Sequence, residues 1–351
     1  MKSNFKFFKN SSSLPVDKFF DNVLYDKKIG YYNLQHPFGK KGDFITSPKI
    51  SYLFSEMIAI WMISFWEKIG KPKNFNIIEL GPGDGSLIKI LIKVFKKFPQ
   101  FNKCKKIYLI ERSDLMKKLQ KKIINSKNVR WVNDISQIKN GPNIFFGNEF
   151  FDAITIKQFK KLGNHLYEKH FELKKYNIKE TYKKATNQDS QTINSFKTFK
   201  NLKFIELPKK GLKILKKIVK KILNTSGCIL LIDYGYLEPN NKNTLQSVFK
   251  HKKNELLKNL GKADVTAHVN FALLNEFFVK NGLKVKKIIN QNEFLNKLGI
   301  QERAEIISKK MNFNEKVDLY FRLKRLTSSK SMGGLFKVIL AESVNKNSIR
   351  K

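Results

Sequence analysis

The stretch Ile77-Ile78-Glu79-Leu80-Gly81-Pro82-Gly83-Asp84-Gly85-Ser86 constrains this chain more than any other. Residues of strand type run into three glycines at alternate positions. Leu87, Leu91, Val94, Phe95 and Phe98 then recur on one helical face. Strand, glycine turn and helix are the first half of a nucleotide-binding βαβ unit. A turn without Cβ atoms can take positive φ and let a ligand approach the backbone. A helix starting near Ser86 would aim free N–H groups and a partial positive charge at any carboxylate in that turn. The spacing is Glu-x-Gly-x-Gly-x-Gly, with an acid inside the strand end, and not the Gly-x-Gly-x-x-Gly of dinucleotide sites.

Bulk properties set the outer limits. At 351 residues and 41% hydrophobic, the chain can bury a substantial core. Ile50–Ile69 is the most apolar stretch, but Glu56 and Glu67 interrupt it. Its uncharged run, Met57–Trp66, falls well short of the roughly 20 residues a membrane span needs, so it is expected to form a buried helix and no transmembrane segment. The net charge is +40, yet only six of 69 basic residues are arginine. Phosphate and base recognition leans on the bidentate arginine fork. A lysine excess spread along the whole chain therefore reads as compositional, with no specific nucleic-acid partner expected. Cys104 and Cys228 lie in no Cys-x-x-Cys pattern, and the five histidines lack metal-ligand spacing. Neither a disulfide framework nor a metal site is expected. Met1–Ser13 has no apolar run of the secretory kind.

Along the chain, Val16–Tyr25 is an amphipathic helix, and Ser47-Pro48 marks the start of the helix Ile50–Ile69. Strands are expected at Asn76–Leu80, Ile107–Ile110, Val129–Val132, Ile144–Phe146, Cys228–Asp233, Leu283–Ile289 and Leu335–Ala341. Ser113 is the expected N-cap of a helix carrying Leu115, Leu119 and Ile123. Ile154–Phe159 and Leu166–Leu173 read as a hairpin about Gly163-Asn164. Residues 174–203, rich in Lys, Asn, Thr and Ser, read as an exposed excursion, and 291–326 as helices. Strands alternating with helices call for an α/β fold with a parallel sheet. Residues 1–70 are expected to form a helical extension on a core domain of 71–351, with insertions at about 154–207 and 290–330.

In open α/β sheets the ligand lies at the carboxyl ends of the strands. The polar residues expected there are Glu79, Glu111, Asp134, Asn148-Glu149 and Asp233. Glu111, just after the second strand, is placed to accept two hydroxyls of a ligand at this edge.

The glycine stretch resembles motif I of class I methyltransferases, whose ligand is S-adenosylmethionine. A larger set resembles the MidA methyltransferase family: Gly30-Tyr31-Tyr32, Gly42-Asp43-Phe44-Ile45-Thr46-Ser47-Pro48, Glu79–Ser86 and Asn148-Glu149-Phe150-Phe151-Asp152-Ala153. Leu231-Ile232-Asp233-Tyr234-Gly235-Tyr236, Ala263-Asp264-Val265-Thr266-Ala267-His268-Val269, Gln291-Asn292-Glu293-Phe294-Leu295 and Met332-Gly333-Gly334-Leu335-Phe336-Lys337 follow in the family's order. The resemblance implies a seven-stranded class I methyltransferase sheet, mostly parallel with an antiparallel last strand, plus helical and hairpin insertions. It implies methylation of arginine on a protein, for one mitochondrial relative a respiratory complex I subunit. The compartment would be the cytoplasm in a bacterium or the mitochondrial matrix in a eukaryote, and a homodimer is an open arrangement. The implied cofactor residues are Glu79, Gly81, Gly83, Gly85, Glu111, Asp134, Ile135 and Asn148. Asp84 departs from the family, where arginine is common.

A guanidinium acceptor is cationic, so carboxylates are wanted to fix and orient it. Glu149 and Asp152 are the catalytic candidates, their spacing of three expected to place both on one side of a helical turn. Nucleic-acid amino methyltransferases carry Asn/Asp-Pro-Pro-aromatic at this point. Here Asn148-Glu149-Phe150-Phe151 has an acid in place of proline, which would repel phosphate. A non-catalytic assembly scaffold is the other alternative, and the intact glycine turn and Glu111 weigh against it.

Overall fold

The computed structural model describes residues 2–34, 47–175 and 177–344. Most of the Gly42–Pro48 motif thus falls outside the described residues; Ser47 and Pro48 are within them. The chain divides into two compact units, one of residues 45–150, 217–235 and 282–351, the other of 1–44, 151–216 and 236–281.

The first unit holds the sheet. Its strands are β1 (Phe75–Leu80), β2 (Lys105–Ile110), β3 (Val129–Val132), β4 (Asn143–Asn148), β5 (Gly227–Tyr236), β6 (Lys284–Val285) and β7 (Phe336–Glu342), in the spatial order β6-β7-β5-β4-β1-β2-β3. β1 pairs in parallel with β2 and β4, β4 with β5, and β2 with β3. β7 runs antiparallel between β5 and β6. This is the class I arrangement, seven strands with the last one reversed. The expected strand over 283–289 is two short pieces, Lys284–Val285 and Ile289–Asn290, both paired to β7. Chain order reverses at β1, which makes its carboxyl end and that of β4 the topological switch point.

Hydrophobic burial fixes these strands. All six residues of β1 are buried, as befits a central parallel strand covered on both faces. The helix α1 (Tyr52–Lys68) buries Leu53, Phe54, Met57, Ile58, Met62, Ile63 and Trp66, while α2 (Ser86–Phe95) contributes Leu87, Ile88, Leu91, Val94 and Phe95. Truncating a fully buried residue such as Leu91 to alanine would cost about 2–5 kcal/mol. The apolar stretch at 50–69 is thus a core helix, as its interrupting acids suggested: Glu56 is paired with Arg303 at 2.8 Å. Its N-cap is Ser51, which accepts from the Leu53 N–H; Ser47-Pro48 instead begins a separate helical turn, Ser47–Ile50. The helices α4 (Gln291–Lys297), α5 (Ile300–Ser308) and α6 (Phe313–Thr327), with the short helical turn Met332–Leu335, lie between Ile289–Asn290 and β7.

The second unit is built on an antiparallel sheet. The hairpin forms between Lys157–Leu162 and His165–Lys174, turning at Gly163, whose φ is +56°. Phe204–Leu207 and Ser13–Pro15 pair with its two strands. Val16–Tyr25 packs its apolar face here, with Phe19 and Phe20 ring centroids 4.9 and 5.5 Å from Phe171. The stretch 174–203 is more ordered than its composition suggests. Asn177–Lys184 adds a strand to the hairpin, Asn187–Asn194 is a helix, and Ile193 and Phe199 are buried. Sparse apolar residues suffice because Lys157 holds both Glu168 and Asp189, at 2.6 and 3.0 Å. Among the described residues no helix is long and apolar enough to cross a membrane.

Candidate cofactor and acceptor site

β1 carries Glu79 to its end, where the chain turns through Gly81, Gly83 and Gly85 at φ of +61°, +54° and +86°. Three left-handed residues in five would strain any side chain with a Cβ. A Cβ on Gly81 would also lie 2.9 Å from the ring of Phe150. Asp84 reaches back along the turn and accepts from the Ser86 N–H at 3.0 Å, placing an acid at the N-terminus of α2. Its other oxygen is paired with Lys49 at 2.7 Å. Lysine at 49 thus answers the acid at 84.

Glu79 is 3% exposed, and its Oε2 has no hydrogen-bond partner among the described residues. Burial, and next the charge of Asp84, push its carboxyl up to about 8. A buried polar atom without a partner is costly and points to a missing donor. Asn148, ending β4, has a buried Oδ1 in the same condition.

Glu111 follows β2. Its Oε1 accepts from the Ser113 N–H at 2.8 Å and its Oε2 from Gln120 Nε2 at 3.0 Å. Burial raises its pKa, opposed by these two bonds. The same Gln120 amide donates to the Gly83 carbonyl at 2.7 Å and accepts from the Trp131 indole at 2.8 Å. One fully buried glutamine on α3 (Asp114–Ile124) therefore couples the glycine turn, Glu111 and β3. Ser113 caps α3 by accepting from the Met116 N–H, as its position in the sequence suggested.

Asp134 stands differently. It caps the short turn Ile135–Gln137 in a reciprocal capping box. It is half exposed and bonded to Lys217 at 2.6 Å. The Lys217 hydrogen bond, then that of the Ser136 N–H, bring its carboxyl down to about 2. Ile135 beside it is buried.

Beyond β4, Glu149 has φ +52°, a left-handed conformation uncommon for a residue with a side chain. The expected helical turn linking Glu149 to Asp152 does not form, because that dihedral turns the chain out of the helical path at its first residue. The Glu149 N–H donates to the Ile232 carbonyl at 2.9 Å, fastening it to β5. Its Oε1 accepts from the Ser47 N–H at 3.1 Å and from Asn148 Nδ2 at 3.2 Å. Asp152 belongs to the other unit and is buried there. Its carbonyl accepts from the Ala267 N–H at 3.1 Å, and its charge helps raise the pKa of Tyr32 after burial, Asp264 and two tyrosines. Tyr32 donates to Asp264 at 2.9 Å, so the motif residues 30–32, 151–153 and 263–269 meet in that unit.

A family profile for S-adenosyl-L-methionine-dependent methyltransferases matches residues 57–289, which contain the glycine turn, Glu111, Asp134 and Glu149. The chain belongs to this family. A protein arginine methyltransferase NDUFAF7 homolog, mitochondrial, of Caenorhabditis elegans is 30% identical over 330 residues, covering 84% of this chain and 74% of that protein. Protein arginine methyltransferase NDUFAF7, mitochondrial, of Homo sapiens is 27% identical over 332 residues, covering 87% and 74%. A crystal structure of a protein from Burkholderia thailandensis bound to S-adenosyl-homocysteine superposes with a TM-score of 0.81 at 19% identity, covering 97% and 90% of the two chains. The fold of that structure is the fold of this methyltransferase, and its cofactor is S-adenosylmethionine.

The groups at the strand ends fit that cofactor. Its ammonium and sulfonium are cations that a buried acid such as Glu79 can meet, and the positive-φ glycines leave backbone accessible. The oxygens of Glu111 are held by neutral donors and, as acceptors only, are suited to ribose hydroxyls. Sequence reasoning passed over Gln120, Trp131, Lys217, Lys49 and the Ser47 N–H. Gln120 lies on the buried face of Met116 and Ile124 and not on the Leu115, Leu119 and Ile123 face read from the sequence, and the Lys217 and Ser47 contacts join residues 83 and 102 positions apart. Lys49 could have been suspected from the unusual Asp84, which needed a cation.

Proposed function

We propose that this methyltransferase transfers a methyl group to a guanidinium nitrogen of an arginine in a protein acceptor. A respiratory complex I subunit is the candidate acceptor, met in the bacterial cytoplasm or the mitochondrial matrix. The observation that carries the reading is Glu149: a carboxylate at the end of β4, fixed through Oε1 by the Ser47 N–H and the Asn148 amide. An acid so held suits a cationic, planar acceptor and opposes a phosphate chain. The names of the relatives, arginine methyltransferases, support the same acceptor.

In this reading Glu79, Gly81, Gly83 and Gly85 receive the amino-acid end of the cofactor. Glu111 takes the ribose, and Asp134, Ile135 and Asn148 complete the site. The chemistry supplied by the bound cofactor is an electrophilic methyl on a sulfonium. A nitrogen–carbon bond would form as the sulfur–carbon bond breaks, giving S-adenosylhomocysteine, and the acceptor nitrogen would release one proton to solvent. Glu149 orients the guanidinium so that one nitrogen meets the methyl carbon at roughly 3–3.5 Å. Asp152 is the second carboxylate assigned to the acceptor in this reading.

Incubating the protein with a cell extract and isotopically methyl-labelled cofactor tests the reading. The expected result is label on arginine of one protein, located by peptide mass spectrometry. Label on lysine, on a carboxylate or in RNA overturns the acceptor. Cofactor binding with no acceptor labelled in any extract favours a scaffold.

A further inference from the structure

The helix α6 buries Leu319, Leu323 and Leu326 on one side and turns a second apolar face outward. Phe313 is 79% exposed, Phe321 71%, Val317 53% and Tyr320 41%. With Lys324, these residues fall within an arc of about 100° at helical spacing. Lys316 and Arg325 flank the arc on either side. Ile306, on α5, is exposed as well. Four large apolar side chains along one helical ridge are more than the scattered single exposures of ordinary surfaces.

The charge around the ridge selects its occupant. Between 309 and 330 there are seven basic residues and two acidic ones. Both acids are engaged locally, Asp318 with Arg322 at 2.7 Å and Glu315 in the capping box of Asn312. Among the described residues, no carboxylate lies within ion-pair distance of Lys316, Lys324 or Arg325. A second copy across a two-fold axis would bring the same cationic, apolar strip against itself, like charge on like charge. A single-stranded nucleic acid would match the cations, but a convex ridge offers no groove to follow its backbone. A flat anionic lipid surface meets both requirements. Aromatic and aliphatic side chains enter the headgroup boundary, and lysines keep their amines at the phosphates.

We propose that the outer face of α6 is a peripheral membrane contact, in which Phe313, Val317, Tyr320 and Phe321 insert shallowly and Lys316, Lys324 and Arg325 hold anionic lipid headgroups. The contact is independent of the acceptor and of the transfer chemistry, since none of its residues belongs to the strand-end site.

Sedimentation of the full chain with vesicles of phosphatidylcholine, with and without phosphatidylserine, tests it. The intact protein should bind the phosphatidylserine vesicles and lose binding steeply as salt rises. Phe313→Ser with Phe321→Ser should lower the partition coefficient by about tenfold or more. Lys316→Glu with Lys324→Glu should erase the preference for phosphatidylserine. Neither pair should move the thermal unfolding midpoint beyond a few degrees or change cofactor affinity, because Phe313, Phe321 and Lys324 are exposed and Lys316 is partly so. Vesicle binding untouched by the phenylalanine pair overturns the proposal. So does a dimer, seen by light scattering, that the pair dissociates, or binding to poly-uridylate that the pair abolishes.

Discussion

Glu79 and Glu111, at the ends of β1 and β2, are acids enclosed by the fold and raised in pKa by burial. Asp134, one strand further along the same edge, is half exposed and drawn down to about 2, with Lys217 already on it. From the sequence the three look equivalent, each an acid just past a strand. Their partners separate them. Neutral donors or none leave Glu79 and Glu111 with capacity for a cation or a hydroxyl, whereas Asp134 spends its charge on a lysine and on its own cap. Glu149 sides with the first pair in its amide donors, and the comparison makes it the acid whose charge should matter most.

Glu149→Gln tests that ranking. Removing the charge while keeping the size should cut single-turnover methyl transfer by roughly two to four decades and leave cofactor affinity nearly intact. Wild-type turnover in this variant would return Glu149 to a structural part, the Ser47 tie. Gly81→Val comes next, combining positive φ with a clash against Phe150. Calorimetry should find S-adenosylmethionine affinity lowered by about a hundredfold or more. A folded variant with unchanged affinity would remove the turn from the site.

Glu111→Ala should weaken cofactor binding by about 1.5–3 kcal/mol, the worth of hydrogen bonds to a charged group. Gln120→Leu should instead act on stability, roughly 1–3 kcal/mol for each buried partner left unsatisfied, in a denaturant titration. Equal effects of the two changes on binding and folding alike would erase the distinction between ligand-facing acid and its holder.

Glu79 gives the comparison a pH signature. Folded, it keeps its proton up to about pH 8, whereas unfolded it loses it in the ordinary carboxylate range. Between those values the folded state binds more protons, so its stability falls as pH rises, by at most about 1.4 kcal/mol per unit. Glu79→Gln should flatten that slope in melts between pH 5 and 8. A bound cofactor cation would favour the ionised acid, so affinity should rise with pH across the same range and binding should release a proton. Calorimetry in buffers of different protonation enthalpy reads that release; none would mean no cation comes near Glu79. The smallest effect belongs to Lys217→Ala, expected to change cofactor affinity less than about threefold, since an exposed pair is screened by solvent.

Much of this was legible in residue order. Glycines at alternate positions after an apolar strand, Ser113 before an apolar period, and the unbroken apolar run of β5 dictate their local structures through φ freedom, capping and burial. These are short-range causes, and together with the motif order they determined the α/β sheet and its seven strands. What the order of residues could not state was which acid would find which partner. The Ser47 N–H on Glu149, Lys49 on Asp84 and Lys217 on Asp134 join segments distant in the chain, and their distances are set by how β1, β4 and the helices pack. The left-handed turn at Glu149, which breaks the helical spacing to Asp152, is likewise imposed by its bond to β5. Local steric rules act within a few residues and are written in the sequence. Burial and partner choice, which decide whether a carboxylate is neutral, charged or already paired, exist only once the chain has folded.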